Sequence, residues 1–148
     1  MHFLKKDDII TASNERPSGK VCDRSADRSA KYRKGEMKVV SGMFGRERVH
    51  YIAPTAEKVN EEMEQFLTWF NSNQTCDYVK SAIAHFWFVS IHPFDDGNGR
   101  ISRAIADMAL SQADNSSMRY FSISNQINKD KRKYNNMLEQ CQKGDCNI

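Results

Sequence analysis

Asp77-Tyr78-Val79-Lys80-Ser81-Ala82-Ile83-Ala84-His85-Phe86-Trp87-Phe88-Val89-Ser90-Ile91 is the stretch on which the fold turns. Val79, Ile83, Phe86, Trp87, Val89 and Ile91 put apolar groups on most sides of a helix, the pattern of a segment enclosed in the middle of a domain. His92-Pro93 ends it, because proline disfavours helical geometry in the residue before it. Working outward, Val59, Met63, Phe66, Leu67 and Phe70 recur at helical spacing up to about Asn71. Beyond the proline, Ile101, Ala104, Ile105, Met108 and Ala109 predict the inner face of a helix from about Asn98 to Gln112, closed by Asp114-Asn115-Ser116-Ser117. A last helix is predicted from roughly Asn128 to Gln142, with Tyr134, Met137, Leu138 and Cys141 on one face and Gly144 as its C-terminal cap.

The pattern changes between Glu36 and Ala53. Met37, Val39 and Val40 precede Ser41-Gly42-Met43-Phe44-Gly45, and Val49, Tyr51 and Ile52 follow, which predicts two strands joined by a glycine-containing loop. Ahead of this, residues 1–31 are polar and weakly periodic, so an irregular N-terminal segment is expected before a folded core over 32–148. The sum is an all-α domain with one β-hairpin.

At 148 residues, 39% hydrophobic and 28% charged, the chain suits one domain and excludes a disordered or fibrous one. The longest apolar run, Ile83 to Ile91, is interrupted by His85 and Ser90 and falls far short of the roughly 20 residues that span a bilayer. The N-terminus shows no signal-peptide pattern, so a cytoplasmic protein without a membrane partner is expected. A net charge of +3 is too mild a bias to indicate a nucleic-acid partner. Cys22, Cys76, Cys141 and Cys146 lack zinc or redox spacing and read as free thiols.

The chemistry is concentrated in His92-Pro93-Phe94-Asp95-Asp96-Gly97-Asn98-Gly99-Arg100-Ile101-Ser102-Arg103, a polar loop that opens a helix. Gly97 and Gly99 let backbone N–H groups approach a ligand at a helix N-terminus, where partial positive charge favours an anion. Arg100 and Arg103 share one face of the first turn and lean back toward that terminus, offering bidentate bonds to phosphate. Asp96 is a hard carboxylate suited to Mg²⁺ beside phosphates, and His92 can take a proton near neutral pH. Separately each residue has an ordinary explanation, such as a turn or a surface ion pair; together they indicate a phosphoryl or nucleotidyl transfer site. Phe94 reads as an inward-packed anchor.

This run agrees at all eight fixed positions with H-x-F-x-[DE]-G-N-G-R-x-x-R, and on it the chain resembles the Fic (filamentation induced by cAMP) family. Glu36 to Gly42 and His50 to Pro54 look like that family's flap hairpin over the active site, and the likeness runs from about Tyr32 to the C-terminus. The resemblance implies a protein adenylyltransferase, an AMPylating enzyme that uses ATP and Mg²⁺. His92 would be the general base for a Ser, Thr or Tyr hydroxyl of a target protein, and Asp96 would hold the metal. Gly97, Asn98 and Gly99 would form the anion cradle, Arg100 and Arg103 would neutralise the β/γ end of ATP, and Ser102 lies in the same turn. Val49, His50 and Tyr51 would lie near the nucleotide, and the hairpin over 37–53 would hold the target segment by strand pairing. Tyr134, Asn135 and Gln142 match positions lining the adenosine pocket, and the family's habit of pairing implies a homodimer.

Many members carry an inhibitory [ST]-x-x-x-E-[GN] helix. Thr11 to Arg16 comes near it but ends in Arg and precedes Pro17; the chain resembles the subgroup whose inhibitory helix precedes the core, and the expectation is that this helix is absent here and Glu15 is not inhibitory. Gly99 argues against the kinase-like branch, which has Lys there. The alternatives are transfer of another nucleotide or phosphate-containing group, a catalytically idle interaction module with this fold, and a metal-dependent hydrolase built on His85, His92, Asp95 and Asp96. Against the last, His85 sits in the apolar helix, where a buried hydrogen bond is its ordinary fate.

Overall fold

The computed structural model describes Leu4 and residues 31–72, 78–115 and 122–144. Strands β1 (Lys38–Ser41) and β2 (Arg48–Ile52) are followed by a 3₁₀ turn (Ala56–Lys58) and five helices. These are α1 (Val59–Asn71), α2 (Tyr78–Ile91), α3 (Asn98–Ala113), α4 (Ile123–Lys129) and α5 (Lys131–Lys143). The all-α domain with a single hairpin is the architecture expected.

Val59, Met63, Phe66 and Phe70 form the buried stripe of α1. Phe66 is the centre of the core, with the rings of Trp69, Phe70, Trp87 and Phe88 at centroid distances of 5.7 to 6.3 Å. α2 packs most extensively on α3. Small side chains permit that approach, since Ala84, Ala106 and Ala109 are buried and the Ser81 hydroxyl donates to Ala106 O at 2.9 Å. Leu4 also joins the core, its backbone paired with the Asn71 side-chain amide at 3.0 Å in both directions.

The hairpin is antiparallel, pairing Lys38 with Ile52, Val39 with Tyr51, Val40 with Val49 and Ser41 with Arg48. Its register shifts between Val39 and Val40, so His50 is the extra residue of a bulge, which re-aims that side chain. Gly42 is required at the turn: its φ is +114°, and a Cβ there would come within 2.6 Å of Arg46 O. Few of the hairpin's side chains are covered. Val39, Val40, Val49 and Ile52 are exposed, as is Phe44 at the tip.

Four expectations need correction. The C-terminal helix starts at Lys131 rather than near Asn128, and a separate α4, which the sequence reading does not predict, precedes it: Ser122 accepts from Asn125 N at 3.2 Å and Asp130 from Lys133 N at 3.0 Å, so each caps its own segment and the chain breaks at Asp130. Met137 and Cys141 are exposed rather than on a covered face, and no residue of α5 is fully buried. In α3, Ala104 is exposed and the inner face instead takes Ser102 and Ala106. Val79, similarly, is exposed at the start of α2. Gly144 does cap α5 through its N–H to Gln140 O at 3.1 Å, in extended rather than left-handed geometry. Thr11 to Glu15, Cys22, Cys76 and Cys146 lie outside the described residues. Among the described residues, no helix is long and apolar enough to cross a membrane.

Candidate active site

α2 delivers His92, and α3 begins six residues later. The helix stops where Pro93 forbids its continuation, and His92 takes a left-handed backbone, φ 51°. Its ring Nδ1 lies 3.0 Å from Val89 O. A carbonyl only accepts, so Nδ1 carries the proton and Nε2 carries the lone pair. Burial holds the imidazole below its ordinary range, opposed by the Val89 carbonyl and reinforced by the nearby Arg33 charge. The ring is therefore neutral, with a basic Nε2, at neutral pH.

The loop between them is tied down from inside. Asn98 is 2% exposed; its Oδ1 accepts from Phe94 N at 3.0 Å and its Nδ2 donates to Phe94 O at 2.6 Å. Phe94 is itself buried, its ring 5.7 Å from that of Tyr32. The Asn98 side chain is thus consumed by the loop, and only its backbone is left for an anion cradle. Gly97 supplies the turn, with φ 88°, and its carbonyl accepts the first helical bonds from Arg100 N and Ile101 N at 3.0 and 3.1 Å. A Cβ at Gly97 would stand 3.3 Å from Arg100 Nη2, and one at Gly99 would stand 3.3 Å from Arg103 Nη1. Both glycines leave their arginine room along the helix end.

Asp96 is exposed: Oδ1 accepts from Gly97 N at 2.7 Å, while Oδ2 lies 3.8 Å from Arg100 Nη2. A hard oxygen donor at the open rim of the loop fits Mg²⁺, which takes one or two carboxylates and completes its shell with water and substrate oxygens. Ser102 is placed otherwise. It is wholly buried and its hydroxyl donates to Gly99 O at 3.0 Å, so it supports the first turn from the core side.

The structure sets the remaining candidates in two further groups. His85 Nε2 and the Tyr134 hydroxyl share a hydrogen bond at 2.8 Å, which is the buried pairing expected of that histidine. Burial lowers His85 and raises Tyr134, and the Arg103 charge acts on both. Gln142 Nε2 donates to Ser90 Oγ at 3.2 Å, and Tyr51 donates to Ser90 O at 3.0 Å, so β2 and α5 meet the end of α2 at one residue. Val49 and Asn135 are exposed. The bulged His50 donates from Nδ1 to Glu139 Oε2 at 2.7 Å and faces Ser41 Oγ through Nε2 at 2.5 Å.

Two residues escaped the sequence reading. Glu139 of α5 accepts from Arg48 Nη2 at 2.7 Å, from His50 and from Lys143, whose hydrogen bonds with His50's hold its carboxyl down at about 2. Its i,i+4 spacing from Lys143 was a readable signal; its reach to β2 was not. A groove of about 510 Å³ beside it is lined by Arg48, Asn136, Gln140 and Lys143, and no residue of the His92 to Arg103 loop lines it. Arg33 is 2% exposed and spends its guanidinium on backbone carbonyls, with no signal in the sequence to mark it.

Comparison with known proteins places these features. The chain is 37% identical over 81 residues to a protein adenylyltransferase Fic of Aedes aegypti, covering 51% of this chain and 16% of that protein. It is 35% identical over 65 residues to a uridine 5'-monophosphate transferase of Xanthomonas campestris, covering 38% of this chain and 12% of the relative. A crystal structure of a Fic family protein from Desulfovibrio desulfuricans superposes with a TM-score of 0.60 at 29% identity, over 80% of this chain and 35% of the other. The chain therefore spans only a fraction of these relatives' length. With a helical fold bearing one hairpin and a complete loop motif, and with the profile of the Fic/DOC family matching residues 8–110, the chain belongs to the Fic/DOC family.

Proposed function

We propose that this chain transfers a nucleoside monophosphate, AMP by preference, from a nucleoside triphosphate to a hydroxyl of a protein. The observation that carries the reading is the fixed tautomer of His92, which presents a basic Nε2 at the mouth of a loop built to receive phosphates. Nε2 takes the proton of a Ser, Thr or Tyr hydroxyl as its oxygen bonds to the α-phosphorus. The bond from that phosphorus to the bridging oxygen breaks, and pyrophosphate leaves with its charge against Arg100 and Arg103. The product is a phosphodiester on the protein and an imidazolium that returns its proton to water.

The backbone N–H groups at the start of α3 would receive phosphate oxygens, Gly97 and Gly99 being the positions where a side chain would crowd the arginines. Mg²⁺ held at Asp96 would supply charge neutralisation for the triphosphate. The exposed hairpin would present a target segment with unpaired strand edges, and Tyr134 with Gln142 would border the base and ribose. The reading includes no membrane or nucleic-acid partner, and pairing of two copies is part of it. A uridine donor is the second reading, favoured by the Xanthomonas relative's activity.

Incubation with Mg²⁺ and ATP or UTP labelled at the α-phosphate, or ATP labelled at the γ-phosphate, with His92→Ala alongside, tests both readings. Protein-bound label from the α position of ATP, lost in the variant by at least about 100-fold as for removal of a general base, is the expected result. Label from UTP alone would transfer the case to uridylylation. Label from γ-labelled ATP would overturn nucleotidyl transfer.

A further inference from the structure

We propose that Arg33 is a positioning residue: it holds His92 in its left-handed backbone conformation and fastens both feet of the hairpin to the loop that carries the base. The inference rests on the reading of His92 as that base.

Arg33 Nε donates to His92 O at 2.8 Å, and Nη2 reaches Ile91 O at 3.4 Å. Nη1 donates to Gly35 O at 2.8 Å, and Nη2 also donates to Pro54 O. The Arg33 backbone N–H adds a bond to Pro93 O at 2.9 Å. Gly35 lies just ahead of β1 and Pro54 just after β2, so the two side-chain bonds there clamp the base of the hairpin. The other acceptors are carbonyls at the C-terminal end of α2 and beyond, groups that the helix leaves without internal partners. Ser90 O, one residue earlier, is taken by the Tyr51 hydroxyl from β2. Three successive carbonyls ending at His92 are thus satisfied from the hairpin side.

A left-handed histidine persists only where its surroundings over-determine it. Here the carbonyl is pinned by Arg33 and the ring Nδ1 by Val89 O, so two anchors fix the direction of Nε2. A fork of five N–H donors spans four carbonyls; a lysine ammonium offers three donors from one point and does not. The charged or titratable groups that act on the guanidinium are Asp95 in the loop, Tyr51 on β2 and Glu57 in the 3₁₀ turn. Arg33 is the charge that acts on His92. Any shift of the hairpin feet accordingly changes the seat of the base.

The test uses the full chain with Arg33→Gln and Arg33→Lys, each first shown by thermal melting to be folded. Nitrogen chemical shifts of the His92 ring report tautomer and titration midpoint without requiring activity. Loss of the neighbouring charge in Arg33→Gln should raise the His92 midpoint, and Arg33→Lys should move it less. Both variants should lose the uniform Nδ1–H tautomer and exchange the Ala53 amide, which bonds to Met37 O at 3.0 Å beside the Pro54 contact, faster. Where the wild type transfers label from ATP, kcat should fall at least about tenfold with the ATP KM within about twofold, the signature of a misaligned base. Wild-type tautomer, midpoint and hairpin exchange in either folded variant would overturn the proposal. A wild-type chain that transfers no label, but whose His92 ring still responds to Arg33→Gln, would overturn the function and leave the positioning role standing.

Discussion

Asn98→Ala separates a residue that touches ligand from one that builds the loop. Asn98 is the first residue of α3, and both atoms of its amide are engaged by the backbone of Phe94, itself 3% exposed. Truncation leaves a buried N–H and a buried C=O without partners, at about 1–3 kcal/mol each, while alanine recovers about 0.5 kcal/mol of helix propensity. The net loss is about 1.5–5.5 kcal/mol, which at about 3 °C per kcal/mol for a domain of this size lowers Tm by about 5–16 °C. Urea unfolding followed by Trp69 and Trp87 fluorescence reads it directly, because both indoles pack against the core. Asn98→Asp sharpens the test. Its carboxylate still accepts from Phe94 N but sets negative charge against Phe94 O, so the folded state raises the pKa of the new acid and binds its proton more tightly than the unfolded chain does. The deficit of Asn98→Asp relative to wild type should therefore be largest at pH 7 and shrink as the pH falls toward 4. An alanine variant within about 0.5 kcal/mol of wild type that nonetheless loses nucleotide binding would refute the reasoning and return the side chain to the ligand.

Two further outcomes are expected. Glu139→Gln should loosen the hairpin from α5 without lowering Tm appreciably; the depressed Glu139 acid contributes above its ordinary value and is lost as the pH falls from about 4.5 toward about 2, so wild-type Arg48 and His50 resonances should shift over that window and the variant's should not. Identical acid profiles in the two proteins would refute the clasp. Phe66→Ala, at the fully buried centre of four rings, should cost about 3–5 kcal/mol and about 9–15 °C in Tm while leaving nucleotide affinity of the folded fraction unchanged; a loss under about 1 kcal/mol would displace Phe66 from the centre of the core.

What was legible in the sequence shares one property: it is local. The stripe Val59, Met63, Phe66 and Phe70 shows a helix by its period, Gly42 and Gly45 mark a turn, and the His92 to Arg103 loop carries its chemistry in consecutive residues. The break at Asp130 was also local, but its signal is one capping side chain inside a stretch, Asn128 to Gln142, whose apolar spacing reads as one helix, and Ser122, which caps α4, lies ahead of that stretch. Arg33 and Glu139 were invisible for a different reason. A lone charge in a polar segment reads as solvated, and only the meeting of α2, the hairpin feet and α5 in three dimensions buries one and surrounds the other with cations. Asn98 and Ser102 fall between these cases: the motif placed them in the loop, while the direction of each side chain depended on which face of α3 met the core.

The hairpin contributes little to the core, since its valines and Ile52 are exposed, and what locates it is directional: Arg33 at its feet, the Tyr51 hydroxyl on Ser90 O, and Glu139 on Arg48 and His50. Apolar burial is tolerant of small displacements, whereas hydrogen bonds weaken steeply with angle, so this attachment sets position at small cost in stability. Stability and site geometry are then carried largely by different residues, with the buried Arg33 serving both. Core truncations should lower Tm and spare the site, whereas substitutions at the polar attachments should displace the site, with a loss of Tm as well at the buried Arg33. The Ser90 to His92 segment is where the two regimes meet, with Ile91 in the core and the carbonyls of Ser90, Ile91 and His92 held from the hairpin, so the end of α2 is a place where a change in either is passed to the base.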